Sequence, residues 1–133
     1  MELDADFSSR TVRRIDQSIA MGALFTAHQL GAKAIVALTA SGSTALWMSR
    51  HRIDIPIYAL TPSLATQRRM ALIRNVRPLL MDESDDRDVA LAQAETHLKK
   101  RGIVDTGDVY AITCGEPMGS PGGSNMLKIC RAG

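Results

Sequence analysis

The chain has 133 residues, room for one domain with a sizeable core that needs neither disulfides nor a structural metal. Its 45% hydrophobic and 23% charged content excludes a disordered chain, and 4% aromatics requires an aliphatic core. A net charge of +2 gives no ground for a nucleic-acid binder, no apolar run reaches the ~18 residues of a membrane span, and the acidic N-terminus is not a secretory signal.

Residues 1–10 read as a flexible or helical lead-in. Thr11 to Leu30 reads as a long helix, with Ile15, Ile19, Ala23 and Leu30 near one face and Asp16, Gln17 and His28 on a wetter one. Between Ile19 and Ala27 it is apolar nearly all round, so more than one side is expected to be covered. Gly31 suits its end. Ala34 to Leu38 is a continuous apolar run of strand length, the signature of a strand buried on both faces. Ser43 to Ser49 patterns as a short helix, and Ile55 to Leu60 as a second strand. Pro62 and Ser63 open a helix through Ile73. Val76 to Met81 is a third strand, placed near an edge by Pro78. Ser84, followed by Asp85, Asp86 and Asp88, caps a helix that runs to Lys100 and stops at Gly102. Val109 to Thr113 is a fourth strand, Cys114 to Ser124 a Gly/Pro loop, and Met126 to Arg131 a last strand.

Strand–helix alternation of this kind predicts a single α/β domain over 1–133. The expected form is a three-layer α/β/α sandwich around a five-stranded, mostly parallel sheet. The last connection is too short for a helical crossover, so the last strand should run antiparallel.

Charge is uneven along the chain. Phe7 to Met81 holds ten Lys/Arg against two acids, whereas Asp82 to Asp108 holds four against eight. Solvated helix faces account for most such charge; an anionic ligand or another chain is the sharper reading. No aromatic residues interleave the basic ones to stack bases, which argues against single-stranded nucleic acid.

Ligands of open α/β sheets gather at the carboxyl ends of the strands. Thr39, Ser41, Gly42, Ser43 and Thr44 follow the first strand and open a helix, offering hydroxyls, backbone N–H groups and a glycine where a phosphate could approach. A plain helix cap with spare hydroxyls is the bland alternative. The GxxxxGK[ST] pattern of a Walker loop is absent. A second segment, with Gly115, Glu116, Pro117, Gly119, Gly122 and Gly123, reads either as a simple loop or as a lid over the first.

Catalytic patterns are missing. His28, His51 and His97 lack metal-ligand spacing, and Asp85, Asp86 and Asp88 fit a helix start. Cys114 and Cys130 form neither a disulfide framework nor a CxxC motif, and Cys114 reads as a small core residue. Trp47 reads as packing beside the short helix.

Four segments in order resemble one family. Ala32 to Ala45 is similar to the first strand and effector loop of the pyruvate kinase C-terminal domain. Pro56 to Thr61 resembles its second strand, Asn75-Val76-Arg77-Pro78 its "RGV-P" segment, and Gly107 to Thr113 with Gly119 to Lys128 its closing motif. The resemblance implies a five-stranded α/β/α domain that binds phosphorylated allosteric effectors and contributes subunit contacts. It implies a parent enzyme that transfers phosphate from phosphoenolpyruvate to ADP on a separate (β/α)₈ barrel with Mg²⁺ and K⁺. None of that barrel is in this sequence, so the segment itself should need no cofactor and carry no catalysis.

Carried over, Thr39, Ser41, Gly42, Ser43 and Thr44 would hold one effector phosphate, and Gly115 to Gly123 would close over the sugar. Neither loop contains Lys or Arg, and Glu116 adds negative charge, so a sugar monophosphate or AMP is expected over a bisphosphate. Ala45 to Arg50 resembles the monophosphate-activated bacterial branch. Self-association is expected through the strand Met126 to Cys130, and a cytoplasmic location follows from the family. A free-standing phosphometabolite-binding or interaction protein of this fold, or a small stand-alone enzyme using Cys114 or the first loop, are the alternatives.

Overall fold

In a computed structural model, the described residues are 15–115 and 124–133. The expected helix start at Thr11 and the lead-in 1–10 lie outside them, as do Glu116, Pro117, Gly119, Gly122 and Gly123 of the second loop. The elements are α1 (Ile15–Leu30), β1 (Ala34–Leu38), α2 (Ser43–Ser49), β2 (Ile57–Thr61), α3 (Leu64–Met70), β3 (Val76–Leu80), α4 (Arg87–Lys100), β4 (Val109–Cys114) and β5 (Met126–Arg131).

The sheet order is β3-β2-β1-β4-β5. The first four strands pair in parallel, and β5 runs against β4. The expected α/β/α sandwich with an antiparallel last strand is therefore the observed fold. All five residues of β1 are buried, as their unbroken apolar run demands. Alternation divides them between two cores. Ile35 and Ala37 join Ile57, Ala59 and Ala111 under α1, α2 and α3. Ala34, Val36 and Leu38 join Tyr58, Leu60, Tyr110 and Ile112 under α4. With so few aromatics, alanines carry the helix seams. Ala20, Ala23 and Ala27 line α1 with Leu24, and Ala90, Ala94 and Leu98 recur every fourth residue on α4.

The buried face of α1 differs from the sequence reading. Ile15 and Leu30 are exposed, while Asp16, expected on the wet side, is only 1% exposed. The packed stripe is Asp16, Ala20, Met21, Ala23, Leu24 and Ala27, roughly a quarter of a turn away. The apolar surroundings of Ile19 to Ala27 hid the correct face, because nearly every side looked eligible. Helix α3 ends at Met70, short of the expected Ile73, because the chain must turn into β3. It does so through Asn75, which adopts φ 64° and donates from Nδ2 to the Ile55 carbonyl at 3.0 Å. Asn tolerates the left-handed region better than other side-chain-bearing residues. The cap of α4 is Asp86, which accepts from the Val89 N–H at 3.1 Å, and not Ser84. Ser84 instead accepts from the Asp86 N–H, holding the preceding turn.

Pro78 lies on an edge strand, as anticipated. The Ile57 N–H bonds the Asn75 carbonyl and the Met81 N–H bonds the Thr61 carbonyl. Odd-numbered residues of β3 thus face β2, and Pro78 presents its missing N–H to the open side.

The chain moves from β1 to β2 to β3 with α2 and α3 on one face. It returns over the other face through α4 to β4. The order therefore reverses between β1 and β4, and their carboxyl ends flank a crevice.

Burial ranks the core positions. Leu24→Ala should cost about 2–5 kcal/mol by chemical denaturation, because Leu24 is 0% exposed in close packing. Leu72→Ala, at a residue 89% exposed, should change stability by less than about 0.5 kcal/mol.

Candidate functional site

The crevice between β1 and β4 is bordered by the loop after β1 and, beyond β4, by Gly115. Thr39 continues β1 by donating its N–H to the Leu60 carbonyl at 3.0 Å. The loop then turns back on its own hydroxyls. Thr39 Oγ1 accepts from the Gly42 N–H at 2.8 Å, and Ser41 Oγ accepts from the Ser43 N–H at 3.3 Å. A hydroxyl that accepts still has a proton to give. Those of Thr39 and Ser41 remain available to an acceptor outside the loop, and Ser41 is exposed.

Ser43 and Thr44 are spoken for. Ser43 Oγ donates to Asp16 Oδ2 at 3.3 Å, which explains why α1 buries an acid there. Thr44 is fully buried and donates to Ser124 Oγ at 2.9 Å, tying the first loop to the approach to β5. Four of the five residues singled out by sequence thus hold the loop in shape through their side chains, and two of them still offer a proton outward.

Gly42 is required by geometry. Its φ is 85°, and a Cβ there would lie 2.6 Å from Met70 Sδ. Helix α3 in fact grips three consecutive loop residues. Thr66 Oγ1 donates to the Ala40 carbonyl at 2.6 Å, and Arg69 Nη2 donates to the Ser41 carbonyl at 3.2 Å and to Thr66 Oγ1 at 2.9 Å. Met70 packs against Gly42. The sequence reading found no cation in either loop. The fold supplies one from α3, 28 residues away from Ser41. Arg50, a more obvious candidate by position, lies over the Trp47 ring at 4.5 Å instead.

At the strand ends, Thr113 on β4 is opposite Ala37 and fully buried on the α1–α2 face. Its Oγ1 has no hydrogen-bond partner among the described residues. Gly115, half-buried, leads away from β4, and the Asn125 N–H returns to the Cys114 carbonyl at 3.0 Å.

Other places fit an anion less well. A cleft of about 370 Å³ beyond β3 is lined by Met81, Asp82, Gln93, Thr96 and His97, with Glu83 beside it. Its acids would repel a phosphate. Among the described residues no cluster of three His, Cys, Asp or Glu is placed to hold a metal ion. Cys114 is fully buried in the core under α4, out of reach of a substrate. Burial pushes the Cys130 thiol up, away from the thiolate a nucleophile needs.

Comparison with known proteins now bears on this geometry. A family profile described as "Pyruvate kinase, alpha/beta domain" matches residues 17–130. The chain belongs to the pyruvate kinase alpha/beta domain family. It is 39% identical over 112 residues to a pyruvate kinase of Staphylococcus epidermidis, covering 84% of this chain and 19% of that protein. It is 36% identical over 118 residues to one from Buchnera aphidicola subsp. Baizongia pistaciae, covering 88% and 25%. Among solved structures, Cryptosporidium parvum pyruvate kinase in complex with ADP superposes with a TM-score of 0.83 at 26% identity, over 96% of this chain and 25% of that one. The chain spans a quarter or less of the length of these pyruvate kinases. No described helix is long and apolar enough to cross a membrane.

Two tests probe this local chemistry. Gly42→Ala should destabilise the pyruvate kinase-like domain by about 1–3 kcal/mol in urea titration, from left-handed strain plus displacement of Met70. Tyr110 is buried and donates to Glu95 Oε1 at 2.7 Å; burial first, then that bond, push its phenol well above its ordinary 10.0. The folded chain thus holds the proton more tightly than the unfolded one. The stability this contributes is complete below pH 10.0 and is lost as pH rises through the folded value. The urea midpoint should fall above pH 10.0, and Tyr110→Phe should flatten that limb.

Proposed function

We propose that this chain is the regulatory, effector-binding part of a pyruvate kinase. In that reading the transfer of phosphate from phosphoenolpyruvate to ADP, with its Mg²⁺ and K⁺, belongs to a catalytic barrel, and this domain answers to a phosphorylated metabolite. The observation that carries the reading is the loop from Thr39 to Gly42 at the switch between β1 and β4. It is pre-shaped by its own hydrogen bonds, with the Thr39 and Ser41 hydroxyl protons left to donate. Donors fixed in advance spare a ligand the entropy of ordering them.

The ligand favoured is a monophosphate, either a sugar monophosphate or AMP. One short hydroxyl-rich loop provides for one phosphate, and Glu116 in the second loop opposes another anion. The exposed edge of β5, with Ile129 38% exposed, supports a second role in pairing with another copy across a two-fold axis. The cytoplasm is the compartment where such a ligand and such a parent reaction meet.

Calorimetric titration of the 133-residue chain checks this. Ribose 5-phosphate or AMP should bind more tightly than fructose 1,6-bisphosphate, and Thr39→Val with Ser41→Ala should weaken the monophosphate by about tenfold or more, from two lost bonds to a charged group. A marked preference for the bisphosphate would overturn the monophosphate assignment.

A further inference from the structure

We infer that Arg69, on α3 and outside both effector loops, is the residue that positions the phosphate loop and gives it preference for an anion. The inference rests on the effector-site reading above and names the charge that reading lacked.

The guanidinium is anchored at one end only. Nη2 spends its two N–H groups on the Ser41 carbonyl and Thr66 Oγ1. Thr66 Oγ1 in turn donates to the Ala40 carbonyl, so the two side chains clasp adjacent peptide groups. Nε and Nη1 carry three further N–H donors. None of these has a hydrogen-bond partner among the described residues, and the side chain is exposed. A planar fork held at one nitrogen and open at the others is pre-organised to receive a phosphate oxygen. Ser41, whose carbonyl Arg69 holds, is also the residue whose hydroxyl proton is free. The charge and a neutral donor thus meet at one residue of the loop.

Two other arginines of the basic half are held elsewhere. Arg50 stacks on Trp47, and Arg77 donates to Tyr58 Oη at 3.3 Å on the opposite face of the sheet. A second polar group stands unsatisfied among the described residues. The unpartnered, fully buried Thr113 Oγ1 lies at the same strand ends, on the face that α2 covers. Sequence reasoning missed Arg69 because nothing local in Leu64 to Met70 marks it; the loop residue it holds, Ser41, lies 28 residues back.

The test uses the whole chain with two variants, Arg69→Met and Arg69→Lys, and two probes, AMP and uncharged adenosine. In Arg69→Met, AMP affinity should fall about tenfold or more, the usual range for a lost bond to a charged group, while adenosine affinity stays constant. The salt dependence of AMP binding should also become shallower. Arg69→Lys should recover only part of the AMP affinity, because a lysine keeps the charge but not the fork. Without ligand, amide hydrogen exchange at Gly42 should quicken in Arg69→Met, because the clasp on Ser41 is gone. Equal AMP affinity in wild type and Arg69→Met would overturn the inference. So would equal losses for AMP and adenosine, which would show a purely structural residue, or unchanged exchange at Gly42. A wild-type chain that binds neither AMP nor ribose 5-phosphate overturns the effector reading itself and this inference with it. That result is distinct from a wild type that binds and a variant that binds equally well.

Discussion

Burial of β1 on both faces governs the rest of this domain. A strand with all five side chains inside must have helices above and below, and neighbours on either side. The chain meets that demand by sending α2 and α3 over one face and α4 back over the other, which makes the strand order reverse beside β1. The crevice is a by-product of that reversal. No residue there had to be chosen to open it; residues were needed only to furnish it.

The furnishing consists mainly of short polar side chains satisfied by one another over long sequence distances. Ser43 reaches Asp16 in α1, and Thr44 reaches Ser124 across 80 residues. A buried acid or hydroxyl without such a partner would cost about 1–3 kcal/mol or more. Each pair therefore acts as a check on assembly, since the first loop is fully satisfied only when α1 and the start of β5 are in place. Assembly of the domain and the shape of the loop become linked in the same bonds.

Much of this was legible in sequence. The Ala34–Leu38 run gave away the central strand, Pro78 an edge, and the hydroxyl-rich stretch after β1 a loop that bonds to itself at the switch in strand order. The residues that escaped did so for definable reasons. The buried stripe of α1 was misjudged because an apolar helix offers several faces and Asp16 looked like a surface residue; Ser43, which donates to it, is 27 residues away. Ser84 and Asp86 are both good caps by type, and only backbone geometry chooses between them. Arg69 was one of ten basic residues in its half of the chain, and periodicity does not say which will fold over a loop.

The two edges of the sheet are unlike. On β3, Pro78 turns a blank toward solvent where an incoming strand would seek an N–H, so that side is closed to strand addition. On β5 the ladder of peptide groups continues unbroken from Met126 to Arg131. A molecule with one adhesive edge and one inert edge can join a twin, after which neither has anything left to offer. If β5 pairs with a twin as proposed, sheet growth would stop at two, and Pro78, on the far edge, would set the limit.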